Sequence, residues 1–240
     1  MAIPYKDLRD NALVALKNYM DLLDEKNGKI LAYWLNNYVK YLKEESTFDS
    51  QQLLRYKRGS IVKVDLGYRI GSEEGGLHYA IVVETNNAMR NKVITVVPLT
   101  SVKPTTDLDH LNPRNVFLGN EIYNALTSKL NTEIPIARES LKQVKEKFGT
   151  VESENDVTEI GTQLKQISRQ IKYCEKINHE VDKMKQGSIA LVGQIITISK
   201  QRIYDPKNPS AALFDVRVSD ESLNKIDDKI RELFCNPNNE

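Results

Sequence analysis

Two side chains in the first half of the sequence have types and positions that could do chemistry. His78 follows a glycine-rich loop and leads into the apolar run 79–83, and Thr100 ends the next apolar run, 93–100. An imidazole takes up and releases a proton near neutral pH, so His78 could serve as a general acid or base. A single histidine that enters a buried strand is more often a structural hydrogen-bonding group, and a lone threonine there simply favours β-structure. Both interpretations of the pair stay open at this point.

The sequence lacks the motifs of metal clusters, disulfide frameworks and common nucleotide-binding sites. Cys174 and Cys235 are isolated thiols without CxxC spacing, which excludes a metal cluster or a disulfide framework as an organising feature. The HExxH, P-loop and GxGxxG patterns are absent, and the three histidines lie far apart in the sequence. We therefore expect neither a metal ion nor a cofactor.

Length, composition and charge indicate a globular protein that folds unaided. The chain has 240 residues, of which 40% are hydrophobic and 28% charged. No apolar stretch reaches the ~18 residues of a membrane span, and the first residues do not resemble a signal peptide, so we expect a cytoplasmic protein without a membrane partner. The net charge is +1, and only residues 51–120 are basic, with 9 bases against 6 acids. That excess is a weak indication of nucleic-acid binding.

Helical periodicity appears in three parts of the chain. Apolar residues at spacings of three and four predict two helices within residues 1–50, with Asn27-Gly28 as the stop between them. A stripe from Ile160 to Met184, with an upstream partner stripe at 137–148, predicts an intramolecular coiled-coil hairpin whose stripe is core. A last amphipathic helix is predicted around residues 223–234, capped by Ser219 or Asp220.

Strand patterns occupy the segments between these helices. Residues 60–66 alternate and are rich in β-branched side chains, and 79–83 and 93–100 are short apolar runs. A weaker strand is predicted at 115–118, and strand signals resume at 188–198. The β-rich module is therefore predicted to be interrupted by the helical hairpin.

Four blocks of this module resemble one known family. Arg58-Gly59-Ser60-Ile61-Val62-Lys63-Val64-Asp65-Leu66-Gly67, then Gly71-Ser72-Glu73-Glu74-Gly75-Gly76, then Val97-Pro98-Leu99-Thr100-Ser101 resemble the MazF/PemK toxins. After the insert, residues 188–203 resemble the second block of that family. The resemblance lies in the order and spacing of the blocks, and it covers about half of the chain.

The resemblance implies an α+β fold, namely an SH3-like small β-barrel with a C-terminal helix. On this basis residues 55–120 and 187–240 form the barrel and its helix, 1–50 form a helical N-terminal extension, and 121–186 form an inserted helical hairpin. Family members are usually homodimers that cut single-stranded RNA without a metal ion, as the toxin of a type II toxin–antitoxin pair. The resemblance therefore implies single-stranded RNA, a small antitoxin protein and a second copy of the chain as partners.

The catalytic residues implied by the resemblance are His78 and Thr100. Family members place an arginine two residues after the Gly-Gly pair, and His78 stands there in this sequence, while Thr100 keeps the threonine at the end of the third strand. A neutral histidine brings no fixed positive charge, so a cation must come from elsewhere. The candidates for contacts with RNA are Arg58, Arg69, Ser72, Glu73, Ser101, Gln194 and Lys200.

Alternatives remain for the function, the dimer and the added helices. The loss of the family arginine is also compatible with a non-catalytic barrel that binds nucleic acid or a protein, as the related CcdB-type toxins do. A dimer could use Leu223, Ile226 and Ile230 of the terminal helix, or the added helices could supply a pairing surface. The added helices, at 1–45 and in the insert, could form a bundle that covers the loop at 67–78 and holds the toxin partly closed, or they could form a remote bundle.

Overall fold

The structure is a computed structural model, and it describes residues 3–184 and 187–235. Within them, five α-helices and one antiparallel sheet of seven strands confirm the expected α+β class. In chain order the elements are α1 (Tyr5–Asp21), α2 (Glu25–Glu44), β1 (Ile61–Asp65), β2 (Leu77–Val82), β3 (Val93–Ser101), β4 (Val116–Phe117), α3 (Glu121–Phe148), α4 (Glu154–Lys183), β5 (Ser188–Ala190), β6 (Ile196–Ser199), β7 (Ile203–Asp205) and α5 (Asp220–Phe234).

The chain divides into two compact units. One unit consists of the described residues up to Phe48 together with Asp65–Leu77, and the other consists of Asp49–Val64 together with the described residues from His78 onward. The first unit therefore combines the N-terminal helices with the loop that precedes β2. The division into a barrel, an N-terminal extension and an insert stays a prediction. No helix of the described residues is long and apolar enough to cross a membrane.

The N-terminal helices form where the sequence predicts them, but the turn between them lies elsewhere. Asn27-Gly28 is not the stop, because α1 already ends at Asp21 and Gly28 lies inside α2. The side chain of Asp24 accepts a hydrogen bond from the backbone N–H of Asn27 and so caps α2. That bond is also the main cause of the lowered pKa of Asp24. The Asp24 cap therefore determines where α2 begins, and Asn27-Gly28 does not end a helix.

In the second unit, β3 organises the sheet by changing partners along one of its edges. Its first half pairs with β6, where Val93 is opposite Ser199, and its last three residues pair with β5, where Leu99 is opposite Ala190. The other edge of β3 pairs with β2. The strand order is β4-β5-β3-β2-β1-β7, with β6 beside β3. Strand β7 is the one that the sequence patterns did not predict, because three residues are too few to show alternation.

Helices α3 and α4 form the expected hairpin between β4 and β5. Ser153 caps α4 in a capping box with Asp156, which fixes the turn in the polar stretch after α3. The ends of the hairpin near the sheet are buried in the main core, which includes Ile122, Leu126 and Ile177.

The stripe from Ile160 to Met184 was expected to be core, and this is wrong for part of it. Ile160 and Ile167 are buried, whereas Leu164 and Ile171 are 44% and 42% exposed. The physical reason is that a hairpin of two helices covers only the sides that face each other, and it leaves the neighbouring flank open.

Helix α5 begins as predicted, with the side chain of Ser219 accepting from the N–H of Ser222. Leu223 and Ile226 are buried in the core of a single chain, and Ile230 packs against that core. Leu223 and Ile226 are therefore core residues of the monomer and are not available as a dimer surface.

Candidate active site and nucleic-acid interface

The two proposed catalytic residues lie near each other on neighbouring strands. Strands β2 and β3 are antiparallel, with Ala80 opposite Pro98. Continuing this register by two residues places His78 opposite Thr100. Directly opposed residues of an antiparallel pair project to the same face of the sheet, so both side chains lie on one face.

His78 and Thr100 are both half-buried. Nδ1 of His78 lies 3.3 Å from the carbonyl oxygen of Leu99, the residue before Thr100. The contact turns one ring nitrogen toward the backbone of β3. If that nitrogen carries the hydrogen, the tautomer leaves Nε2 as the proton acceptor.

Thr100 also lies at the junction between β3 and β5. It is opposite Ile189, and the next residue, Ser101, is opposite Ser188. The backbone of Thr100 is therefore paired with β5, which fixes the direction of its side chain. His78 and Thr100 are the two sequence-proposed site residues that the strand register brings near each other, whereas Ser101, the next residue of β3, projects to the other face.

The loop before β2 belongs to the first unit and is closed by its glycines. Gly76 donates to the carbonyl of Gly67 at 2.8 Å, and both residues have positive φ, at +83° and +84°. A Cβ at Gly75 would come within 2.9 Å of the same carbonyl, so a larger side chain would disrupt the closure. The glycine pattern of the sequence therefore has a backbone cause.

Three proposed RNA contacts lie on this loop. Ser72 and Glu73 are exposed at its tip, and Arg69 is half-buried. Nε of Arg69 donates to the carbonyl of Leu66 at 2.7 Å, and the Arg69 guanidinium lies 3.7 Å from the Glu73 carboxylate. This ion pair is exposed on the Glu73 side, so it holds the arginine only weakly.

The other two proposed cations are held inside the second unit. Arg58 pairs with Asp227 and donates to the carbonyl of Val83, which follows the far end of β2 from His78. Lys200 is 1% exposed and donates to the carbonyl of Ala88 at 2.9 Å, and burial lowers its pKa. Lys200 is therefore an interior residue in this structure. Gln194 is half-buried in the short turn between β5 and β6.

Sequence reasoning missed a buried polar cluster on the other face of β2. Nζ of Lys63 lies 2.9 and 2.8 Å from the two carboxylate oxygens of Glu180, and the Tyr79 hydroxyl donates to the same carboxylate. Nζ of Lys63 also lies 5.0 Å from the centre of the Tyr79 ring. The cluster joins β1 and β2 to α4. Nothing in the local sequence indicates it, because its partners are far apart in the chain.

The environment of this cluster shifts the pKa values of its acids in opposite directions. Burial acts to raise the pKa of Glu180, but hydrogen bonds from Lys63 and Tyr79 outweigh burial, and the pKa is lowered. Burial is the main cause of the raised pKa of nearby Asp205 and of Tyr79. Glu180 thus stays ionised beside its lysine, while Asp205 gains a proton more readily than an ordinary aspartate.

The structure is that of an α+β protein with an antiparallel sheet. The sheet carries His78 near the start of β2 and Thr100 near the end of β3. Residues 57–168 match the family model of the PemK-like, MazF-like toxins of type II toxin–antitoxin systems. This part of the chain is therefore similar to the PemK-like, MazF-like toxins. None of the curated proteins compared with the chain matches it.

The match begins just before β1 and ends inside α4. It includes His78, Thr100 and the loop residues of the first unit. It does not reach residues 188–203, so the second block of the resemblance stays a prediction.

Proposed function

We propose that this chain is the toxin of a type II toxin–antitoxin pair and cleaves single-stranded RNA without a metal ion. The proposal is supported by the placement of His78 and Thr100 on the neighbouring strands β2 and β3, with Nδ1 of His78 3.3 Å from the carbonyl of Leu99, within the part of the chain that matches the toxin family. A small antitoxin protein is then the expected partner.

The proposed reaction is an attack of the ribose 2′-hydroxyl on the adjacent phosphate. The 2′-oxygen forms a bond to phosphorus as the bond to the 5′-oxygen breaks, which leaves a 2′,3′-cyclic phosphate and a free 5′-hydroxyl. The reaction needs a base for the 2′ proton and an acid for the leaving oxygen. We assign removal of the 2′ proton to the neutral Nε2 of His78, which then delivers this proton to the leaving 5′-oxygen, and we assign hydrogen bonding of a phosphoryl oxygen to the Thr100 hydroxyl.

Arg69 is the cation that we propose as a contact with the RNA backbone. Arg58 and Lys200 already have partners inside the fold, namely Asp227 and the carbonyl of Ala88. The partner of Arg69, Glu73, is a largely exposed carboxylate at 3.7 Å, which a phosphate could replace. Ser72 and Ser101 are proposed as hydroxyl contacts to the RNA backbone, and Glu73 and Gln194 as contacts to bases.

The experiment is to incubate the purified chain with a long single-stranded RNA in excess chelator. We expect discrete fragments that end in 2′,3′-cyclic phosphate. His78→Ala is expected to lose a factor of about 10²–10⁴ in rate, which is the usual value of general acid–base catalysis. His110→Ala is the matched control, because His110 is a largely exposed histidine that pairs only with Asp107 among the contacts described here. Intact RNA with the parent chain would contradict the proposal.

A second candidate function is binding without cleavage, as a barrel that recognises nucleic acid or a protein. It is favoured by the contact between His78 Nδ1 and the Leu99 carbonyl, which is what a purely structural histidine would make. His78→Arg restores the residue that the family carries at this position. If this variant cuts RNA and the parent does not, the parent is a binding protein.

A further inference from the structure

A cavity of about 330 Å³ lies in the second unit, between helix α4 and the segment that follows strand β7. Glu180 and Asp205 line its interior, and its rim carries Lys176, His179, Tyr204 and Lys207. None of these residues has a role in the proposed cleavage of RNA. The volume is at the lower end of the ~300–1,000 Å³ of small-molecule sites.

Hydrogen bonds hold the segment after β7, so the wall of the cavity that it forms is fixed. The backbone N–H of Leu213 donates to Oδ1 of Asp205 at 2.9 Å, which folds the segment back on the end of β7. Lys129 of α3 donates to the carbonyl of Ala212 at 3.0 Å, and the Tyr56 hydroxyl donates to the carbonyl of Pro206 at 2.8 Å. A site that is already formed needs little reorganisation when a ligand binds, which favours affinity.

The two carboxylates of the interior differ in their capacity to bind a ligand. Glu180 accepts hydrogen bonds from Lys63 and Tyr79, so its charge is balanced within the fold. Asp205 is half-buried and uses Oδ1 for the backbone N–H of Leu213. A carboxylate has about four acceptor positions, so Asp205 can accept further hydrogen bonds from a ligand inside the cavity.

The rim of the cavity has the opposite charge. Lys176 and His179 of α4 and Lys207 of the segment after β7 are exposed. The Lys176 ammonium lies 3.4 Å from the carbonyl of Ser210, which is a weak contact. No carboxylate of the described residues pairs with Lys207 or His179. The rim can therefore bind an anion, whereas the interior offers hydrogen-bond acceptors.

Tyr204 presents an aromatic ring at this rim. It is 64% exposed, whereas Ile203 beside it in β7 is 1% exposed, as the alternation of side chains in a strand requires. Exposed aromatic rings next to cationic side chains are the surfaces on which proteins stack the bases of single-stranded nucleic acids. The ring therefore adds a stacking surface to the two charged regions.

We propose that this cavity binds one nucleotide, with the base against Tyr204 and Asp205 and the phosphate on Lys176 and Lys207. The planar base stacks on the tyrosine ring and donates its N–H groups to the carboxylate. Phosphate oxygens accept charge-assisted hydrogen bonds from the lysines. Guanine has neighbouring N–H donors on one edge, whereas uracil has a single N–H, so GMP should bind more tightly than UMP.

The first test is a titration of the purified full chain with GMP at pH 7, followed by isothermal titration calorimetry. We expect a dissociation constant on the order of 10–1,000 μM. Guanosine, which lacks the phosphate, and ribose 5-phosphate, which lacks the base, should each bind about tenfold more weakly. No binding of GMP up to ~10 mM would overturn the proposal, and so would ribose 5-phosphate that binds as tightly as GMP.

A free nucleotide and a single unit of an RNA chain share this chemistry. A 2′-O-methyl oligoribonucleotide has no 2′-hydroxyl to attack the phosphate, so it is not cut and serves as the RNA probe. If it competes with GMP, the site takes a nucleotide within a chain, and if it does not compete, the site takes a free nucleotide. Neither measurement involves strand cleavage, so this inference and the proposed function can fail separately.

The stacking contact is tested with substitutions of Tyr204, which is exposed and can be changed without loss of core packing. Tyr204→Ala should weaken GMP binding about tenfold, whereas Tyr204→Phe keeps the ring and should keep most of the affinity. Tyr33→Ala, at an exposed tyrosine of α2, is the matched control and should bind GMP like the parent. Unchanged binding by Tyr204→Ala would overturn the placement of the base.

The phosphate contact is tested with Lys176→Ala combined with Lys207→Ala, which should weaken GMP binding about tenfold but leave guanosine binding unchanged. Lys165→Ala combined with Lys172→Ala is the matched control, because both lysines are exposed on α4 and lie outside the cavity lining. It removes the same charge and should bind GMP like the parent. Equal losses in the two double variants would show a general effect of charge and would overturn the proposed site.

Discussion

Lys63 and Glu180 are 117 positions apart in the sequence, yet Nζ of the lysine lies 2.8 Å from a carboxylate oxygen of the glutamate. Their side chains are only 9% and 11% exposed, so water does little to screen or replace the contact. The ion pair connects helix α4 to strand β1. At this point the sheet and the hairpin of α3 and α4 depend on each other.

Removal of one partner of this pair should destabilise the fold strongly. Glu180→Gln leaves the Lys63 ammonium buried without a counter-ion, and we expect a loss of about 3 kcal/mol in the free energy of unfolding. The double variant with Lys63→Met should recover part of this loss. Denaturant unfolding measures both. The exposed pair Lys225–Glu221 of α5 is the control, and its loss should cost less than about 0.5 kcal/mol. Equal losses at the two pairs would contradict this assignment.

The same pair predicts how stability changes in acid. The folded pKa of Glu180 lies below its ordinary value, so its contribution is present above the ordinary glutamate pKa of ~4.3 and is lost as the pH falls through the folded pKa. The parent should therefore lose more stability than Glu180→Gln on acidification below about pH 4. Asp205, whose pKa is raised, acts in the opposite sense but is present in both proteins. Parallel stability–pH curves would count against the prediction.

The sequence predicted most of the elements because their signals are local. Ser219 as a cap and the alternation in β1 each depend on a few neighbouring residues. The Lys63–Glu180 pair could not be found in this way, because it depends on where α4 lies against the sheet. The exposure of Leu164 could not be found either, since a heptad pattern gives the apolar side of a helix but not the number of helices that cover it.

The role of the Thr100 hydroxyl can be tested separately from the shape of the Thr100 side chain. Thr100→Val keeps the branched side chain and the β propensity but removes the donor, and Thr100→Ser keeps the donor. If the hydroxyl binds a phosphoryl oxygen in the transition state, we expect the valine variant to lose about 10²–10³ in cleavage rate, with most of the activity kept in the serine variant. Single-turnover cleavage provides the measurement. Similar losses in both variants would mean that Thr100 has a packing role only.

The N-terminal helices should restrain the loop before β2. Tyr19 is hydrogen-bonded to Tyr68, which raises the pKa of Tyr68, and the Tyr41 hydroxyl donates to Asp65 at 3.1 Å. Tyr19→Phe combined with Tyr41→Phe removes both bonds. We expect amide exchange in residues 67–76 to rise roughly fivefold to tenfold.

Release of this loop should also change activity, because it leads directly into His78. We expect the double variant to cleave RNA faster than the parent, with Tyr33→Phe, at an exposed tyrosine of α2, as the matched control. Faster exchange with unchanged or slower cleavage would show that the helices stabilise the loop without restricting the toxin.

Strands β4 and β5 are hydrogen-bonded neighbours, with Val116 opposite Ala190, and the whole of α3 and α4 lies between them in the sequence. The chain therefore leaves the sheet and returns to it at adjacent points. Because of this geometry, the tip of the hairpin at residues 149–153 can change without disturbing the sheet. A protease that cuts at residues 149–153 should leave two fragments that stay associated. Excision of the entire hairpin is different, because Ile122, Leu126 and Ile177 would leave the core with it. The tip of the hairpin can therefore be replaced, whereas the base of the hairpin is part of the main core and is needed for folding.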